Sequence, residues 1–518
     1  MTRFIVSLST RILFPALSLA LMASSPMADP VQDYADNCQE CHGAERLGGL
    51  GPALIPQTLG RMRGPNLVSV IREGRTATQM PAFKEILSEQ QIEELTAYLK
   101  QPLADIPPWG EAEIMASRLL NEEYKPADNP VWSSDPMNIT LVVETGDHHV
   151  SVLDGDTFET LDRFATPFAV HGGPKFSPDG RYVYIMSRDG WVQKYDLYSL
   201  QEVGRVRAGL NSRNIAISHD GTWLAVANYL PNSLTILSTE DLSVAKVQEV
   251  KGKDGTPSRI SAVYQAPPRK SFVLALKDVP EIWEVFYGPN PPHFGFAHDW
   301  RVEGPAPHTN PFPIRKITTP DYLDDFFFDQ SYEYVMGASR GGEGGQVIDL
   351  VIGQKTADLD LPGMPHLGSG ITWTYGDTTV MATPHLKDGT VSVIDMNTWK
   401  TIKRIDTLGP GFFMRSHENS PYVWVDVFFG PNRDVMHVID KESLEIVKTL
   451  RPVEDATVAH VEFTRDGRYA LVSVWEDDGA VIVYDAKTLE EVRRLPMRKP
   501  SGKYNVWNKI TFSEGTSH

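Results

Sequence analysis

The chain has 518 residues, a net charge of −18, 41 % hydrophobic residues, 11 tryptophans and two cysteines. That composition suits an ordered globular chain long enough for several domains. The acidic balance argues against nucleic acid and anionic lipid as partners, and suits a basic one.

Residues 1–28 read as a secretory leader. Arg3 and Arg11 are its only charges, and the apolar run 12–23 is too short to span a bilayer. Ala28 or a nearby small residue marks the expected cleavage site, although Pro26 and Met27 are poor neighbours for it. An uncleaved anchor is the other reading. Without Arg3 and Arg11 the charge is −20, and no later run is long and apolar enough for a span.

The string C-Q-E-C-H at 38–42 holds both cysteines and reads as a c-type haem attachment site. Cys38 and Cys41 form thioethers to the porphyrin, and His42 is the first axial ligand. A thioredoxin-like pair needs a βαβ context and a zinc site needs two further ligands; neither accompanies these residues. In Gram-negative bacteria c-type haem is attached outside the inner membrane, so the mature protein is expected in the periplasm. T-Q-M-P-A-F at 78–83 resembles the Met-Pro loop of small monohaem cytochromes c. Met80 is the expected second ligand, a thioether that favours electron transfer; a plain core methionine is the alternative. Ser88 and Gln91 form a capping box, and Ile92, Leu95, Tyr98 and Leu99 follow at helical spacing until Pro102. The expected organisation is a leader at 1–28, a small all-α cytochrome c domain at 29–101, and a linker with some helix at 102–137.

The remainder, 138–518, repeats. An alternating apolar phrase ending in a turn residue closes at 154, 196, 238, 284, 349, 395, 440 and 485, the fourth and fifth copies being degenerate. Apart from one longer interval between 284 and 349, the spacing is that of a four-stranded blade. Asp-Gly pairs at 179–180, 220–221 and 466–467 mark turns between strands of a blade. Eight phrases predict an all-β eight-bladed propeller, or seven blades if one degenerate copy is false. The Pro-rich stretch 287–313 is expected to be a loop insertion. Closure should use residues 504–512 beside the first strand after Asn138.

A small cytochrome c domain followed by such a propeller resembles the cytochrome cd1 family, over about residues 34–508. The resemblance implies a second, non-covalent tetrapyrrole, haem d1, in the propeller. It rests on A-V-H at 169–171, S-P-D-G-R-Y at 177–182 and S-R-D at 187–189. It implies that His171 ligates the d1 iron, with Arg188 near the acidic substituents. Gly172 and Gly173 permit close backbone approach to a flat ligand; a lone loop histidine otherwise has a structural role. The family's nitrite reductases place two histidines over the distal face. His366 matches the second, as a sixth ligand or a hydrogen-bonding residue; Asp324 or Asp325 stands in the region of the first. A carboxylate there repels an anionic substrate.

The chain is more similar to the maturation branch of that family, the dihydro-haem d1 dehydrogenases. These oxidise a propionate of the d1 precursor to an acrylate in the last step of haem d1 synthesis. Supporting strings are G-G-L-G-P-A-L at 48–54, R-E-G-R-T-A-T-Q-M at 72–80, A-T-V-A-H at 456–460 and G-K-Y-N-V-W at 502–507. The similarity implies His460 as a general base and Tyr504 as an orienting or relaying group. Arg188 and Arg415 suit carboxylates, with a rim salt bridge as the alternative for Arg415. Electrons leave through haem c to a periplasmic acceptor, and nitrite reductase or other d1 maturation proteins are candidate partners. The competing functions are a nitrite reductase with an altered distal pocket and a haem d1 carrier or insertion protein.

Overall fold

A computed structural model describes residues 29–49, 51–59, 64–74, 80–167, 169–292, 296–299, 302–305, 311–338, 344–512 and 514–515. The expected leader at 1–28 lies outside them, as do Thr78 and Gln79.

Asp29 caps the first helix, Pro30–Asn37, by accepting from the amides of Val31 and Gln32. The haem motif follows at once, Cys38 leading into the short helix Gln39–His42. Gly64–Glu73 and Glu89–Leu99 supply the longer helices, and Ser88 with Gln91 forms the expected capping box. Tyr34, Cys38, Leu67, Ile71, Ile92 and Leu95 share one core, with Met80 packed against it. Buried Arg46 donates to the carbonyls of Tyr98 and Gln101 at 2.8 and 3.0 Å, so a cation closes the end of the last helix.

The linker is strapped to the propeller. Trp109 Nε1 donates to the Arg207 carbonyl at 2.9 Å, and Glu111–Ala116 is helical. Leu119–Leu120 then pairs with Gln201–Arg207 as a fifth strand on that blade.

Eight antiparallel four-strand sheets follow, and each repeated phrase is the third strand of its blade. Six of the eight phrases end in aspartate, for a local reason. Asp154, Asp349, Asp395, Asp440 and Asp485 each accept the amides two and three residues ahead. The residue four ahead is left-handed: Phe158, Leu200, Leu242, Trp399, Leu444 and Leu489 all have φ between 52° and 63°. Phe158, Leu242 and Leu444 are nevertheless buried, so apolar packing offsets the strain that glycine would avoid. The Asp-Gly turns differ, their glycines standing at φ 72° to 73°.

Two expectations need correction. The closing strand is Pro500–Asn505, paired with Ile139–Glu144, and Asn505 then caps the helix Val506–Thr511 through the Asn508 amide. An asparagine placed as an N-cap ends the strand earlier than apolar alternation suggested. The insertion after the fourth phrase is not all loop. Phe296–Asp299 pairs with Val302–Pro305 in a separate hairpin, a short signal hidden between flanking prolines.

Candidate functional site

In the cytochrome domain His42 is buried, and its Nδ1–H donates to the Pro52 carbonyl at 2.8 Å. That leaves Nε2 as the nitrogen able to ligate an iron. Gly51 lies against this ring; a Cβ there would stand 2.4 Å from His42 Cε1. Cys38 and Cys41 are not joined to each other. Burial pushes the Cys38 thiol up to about 11, with Cys41 and Asp33 adding to the rise. Two unjoined thiols, an oriented imidazole and Met80 on the same core fit a covalent haem.

The propeller site is built from the innermost strands and the turns that enter them. His171 and Arg188 belong to paired segments: the His171 amide donates to the Met186 carbonyl, and the Arg188 amide to the Ala169 carbonyl. His171 Nδ1–H donates to the Arg213 carbonyl at 2.6 Å, while the Arg213 guanidinium meets Nε2 at 2.8 Å. To hold an iron, His171 would have to exchange the guanidinium on Nε2 for the metal. Gly173 stands at φ 70°, and a Cβ there would be 2.8 Å from the Tyr504 ring. Tyr229 lies beneath Arg188, Arg259 and Lys277, whose charged ends are 5.4 to 5.8 Å from its ring centre. Burial alone would raise the Tyr229 phenol; Lys277, Arg213, Arg188 and Arg259 outweigh it and bring it down to about 8.

His366 donates from Nδ1 to the Phe412 carbonyl at 2.7 Å, and its Nε2 is 3.9 Å from Asp325 Oδ2. Asp325 also accepts from the Tyr264 hydroxyl at 2.9 Å, and Asp324 lies 3.3 Å from Lys277 Nζ. Asp324, Asp325, Met364, Pro365 and His366 line one small cavity. A carboxylate therefore stands beside the expected distal histidine.

Phe413 connects this side to His460, their rings 4.8 Å apart, and Tyr504 lies 5.6 Å beyond. His460 sits at a bulge in the strand Val458–Phe463 with φ 53°, which re-aims its side chain. Asp426, fully buried, accepts the amides of Phe412, Phe413 and His460 at 2.7 to 3.0 Å. Burial pushes its carboxyl up to about 6 against those three bonds. Burial, then Lys503, Arg415 and Lys509, hold His460 well below the usual histidine range, so the ring is neutral. The Lys503 amide donates to His460 Nδ1 at 3.4 Å. An amide only donates, so the neutral ring carries its proton on Nε2. As placed, His460 presents an N–H from Nε2.

Arg415 is 4 % exposed, not a rim residue. It lies in a field of Lys175, Lys503 and Lys509 set against the buried carboxylate of Glu462. Burial brings Lys175 down to about 8, with Arg415 contributing. Burial likewise raises the Tyr504 phenol to about 12, so it stays protonated. Burial holds Lys503 and Lys509 well below the usual lysine range, so a guanidinium and several buried amines stand beside an imidazole and a phenol, a set that a polycarboxylate ligand would charge and pair with. The sequence reading missed Arg213, Asp426, Lys503 and Lys509. Asp426 ends Y-V-W-V-D at 422–426 and mimics the turn aspartates, so its signal was hidden.

A covalent-haem domain joined to an eight-bladed propeller, with imidazoles and buried cations at its axis, defines a cytochrome that holds two tetrapyrroles. Residues 134–299 and 305–509 match the cytochrome D1 heme domain, and residues 25–99 match the cytochrome C oxidase, cbb3-type, subunit III. The chain belongs to the cytochrome d1 haem-domain family, and it carries haem c and binds haem d1 or its dihydro form. It is 50 % identical over 505 residues to the dihydro-heme d1 dehydrogenase of Pseudomonas aeruginosa, covering 97 % of this chain and 98 % of that one. The solved structure of dihydro-heme d1 dehydrogenase NirN in complex with DHE matches with a TM-score of 0.77, over 93 % of this chain and 100 % of that one, at 50 % identity. A nitrite reductase of Stutzerimonas stutzeri is 24 % identical over 541 residues, 92 % of each chain.

Proposed function

We propose that this protein is a dihydro-haem d1 dehydrogenase, an oxidoreductase that converts a propionate of the d1 precursor to an acrylate in the last step of haem d1 synthesis. The change removes two protons and two electrons from a CH–CH unit: the electrons pass one at a time to haem c and the protons pass to bulk water. Haem c supplies a one-electron relay to an external acceptor when bound at Cys38, Cys41, His42 and Met80. The observation that carries the reading is the His460–Tyr504 pair, 5.6 Å apart, beside the cation cluster of Arg415, Lys175 and Lys509.

The residues divide the work. Arg415 and its lysine neighbours hold substrate carboxylates, and Arg188 serves the opposite side with Arg259 and Lys277. His171 and His366 offer imidazoles to the substrate's iron. His460 donates from Nε2 to the reacting side chain's carboxylate, favouring charge that develops at the adjacent carbon. Tyr504 orients the same group through its phenol. The packed rings of Phe412, Phe413 and Phe428 exclude water on that flank.

Asp325 beside His366 disfavours a nitrite reductase, because a second negative charge opposes nitrite binding. A pure carrier needs no haem c. We further infer a periplasmic location, with a periplasmic electron acceptor and with nitrite reductase or other d1 maturation proteins receiving the product; cell fractionation tests the location. The decisive experiment incubates the haem-loaded protein anaerobically with dihydro-haem d1 and an acceptor. Loss of two hydrogens from the extracted tetrapyrrole supports the reading, and an unchanged mass rejects it. Nitrite turnover after d1 loading would favour the reductase instead.

A further inference from the structure

Gly48 and Gly51, just after the haem motif, are accounted for by two close approaches. On one side, Gly51 abuts the His42 ring, where a Cβ would meet Cε1 at 2.4 Å. On the other, Gly48, at φ 95°, abuts Asn211 of the propeller, where a Cβ would meet Nδ2 at 2.6 Å. Both glycines also fold back on the haem motif: the Gly48 amide donates to the His42 carbonyl, and the Gly51 amide to the Cys41 carbonyl. One thickness of backbone thus separates the haem c imidazole from the propeller.

Asn211 is fully buried, and its Nδ2 donates to the carbonyls of Gly51 at 3.2 Å, Arg188 at 3.0 Å and Gly49 at 3.4 Å. Its Oδ1 is buried and, among the described residues, has no hydrogen-bond partner. All three neighbours are acceptors, so the amide cannot flip to relieve that oxygen. A stranded buried acceptor is costly, and it persists here beside a donor that spans two domains. Two residues along the same strand, Asn211–Ile217, the Arg213 carbonyl accepts from His171 Nδ1 at 2.6 Å. Ala53 and Ile55 seal the contact against Leu210 and Leu230.

We propose that Asn211 is a positioning residue for electron transfer between the two tetrapyrroles, fixing the His42–Gly51 loop onto the strand that holds His171. This rests on the electron route of the proposed function. In the step it serves, the bound substrate loses one electron and the ferric iron of haem c gains it; no bond to Asn211 forms or breaks.

The test uses the full haem c-loaded chain with Asn211→Leu, which keeps the volume and removes the donor, and Asn211→Ser, which shortens it. Stopped-flow mixing of ferric protein with dihydro-haem d1, without external acceptor, reads reduction of haem c. In both variants it should slow about tenfold, because losing a buried interdomain donor depopulates the docked state. Substrate affinity, reduction of haem c by ascorbate and the haem c midpoint potential should stay at wild-type values. Hydrogen exchange at the Gly51 amide, measured without substrate, should quicken. Faster exchange at Gly51 with wild-type electron transfer would overturn the proposal and leave the dehydrogenase reading standing. A wild-type protein whose haem c is never reduced by substrate would overturn the electron route and this proposal with it.

Discussion

His460 offers the sharpest test of the chemistry. Its ring is 4 % exposed, neutral among Lys503, Arg415 and Lys509, and its Nδ1 is occupied by the Lys503 amide. If Nε2–H donates to the substrate carboxylate, His460→Ala removes a charge-assisted hydrogen bond of about 1.5–3 kcal/mol. That predicts a rate about 10- to 150-fold slower. His460→Gln keeps an N–H donor of similar reach and should lie within about fivefold of wild type, since most of that bond is retained. A general base behaves differently, because glutamine has no basic nitrogen and both variants would fall by about 10² to 10⁴. The assay is anaerobic single-turnover conversion followed by mass of the extracted tetrapyrrole, with affinity read separately from the d1 absorbance. Across pH 6.5 to 8 the ring stays neutral, so the donor role predicts no dependence on its titration. A glutamine variant as slow as the alanine variant would refute the donor argument.

Other outcomes follow from single contacts. Asp426→Asn replaces an acceptor of three amides with a group that turns N–H toward N–H; it should cost about 1–3 kcal/mol in denaturant unfolding and weaken d1 binding. Unchanged stability and affinity would remove Asp426 as the support of both histidine segments. Gly51→Ala drives a methyl into the His42 ring and should shift the haem c absorbance bands or lower haem content, while unaltered spectra would refute the close packing. His385 and His437 are both buried, and burial is the main reason each lies down at about 4. Unfolding lets them take up protons near 6.5, so stability is intact above that pH and falls as pH drops from 6.5 toward 4, by up to about 3 kcal/mol per histidine. Replacing both with leucine should flatten unfolding free energy over that window, and an unchanged slope would refute the assignment.

Much of the architecture was legible because it is local. The haem motif is five consecutive residues, and the capping box at Ser88 acts within one turn. The blades were countable because five of the third strands end in an aspartate that accepts amides two and three residues ahead, a requirement repeated at each of those turns. The end of the closing strand was misread where a single capping asparagine overrode alternation. Arg415 was expected at the rim as an alternative, and lies buried, because burial of an arginine depends on which blades flank it.

The sequence by itself thus determined the two-domain plan, the covalent haem site and eight blades, since spacing and turn chemistry need only neighbours in the chain. What only the tertiary structure decided is the convergence at the axis. Lys175, Arg213, Asp325, Arg415, His460 and Tyr504 stand on the inner strands of different blades, separated in sequence by tens to hundreds of residues. Those strands carry no shared phrase, because each faces a different part of one asymmetric cavity. The tautomer of His460, the three amides on Asp426 and the reach of Asn211 to the haem loop exist only once the blades close. Long-range packing and one bulge set them, and no residue spacing records either.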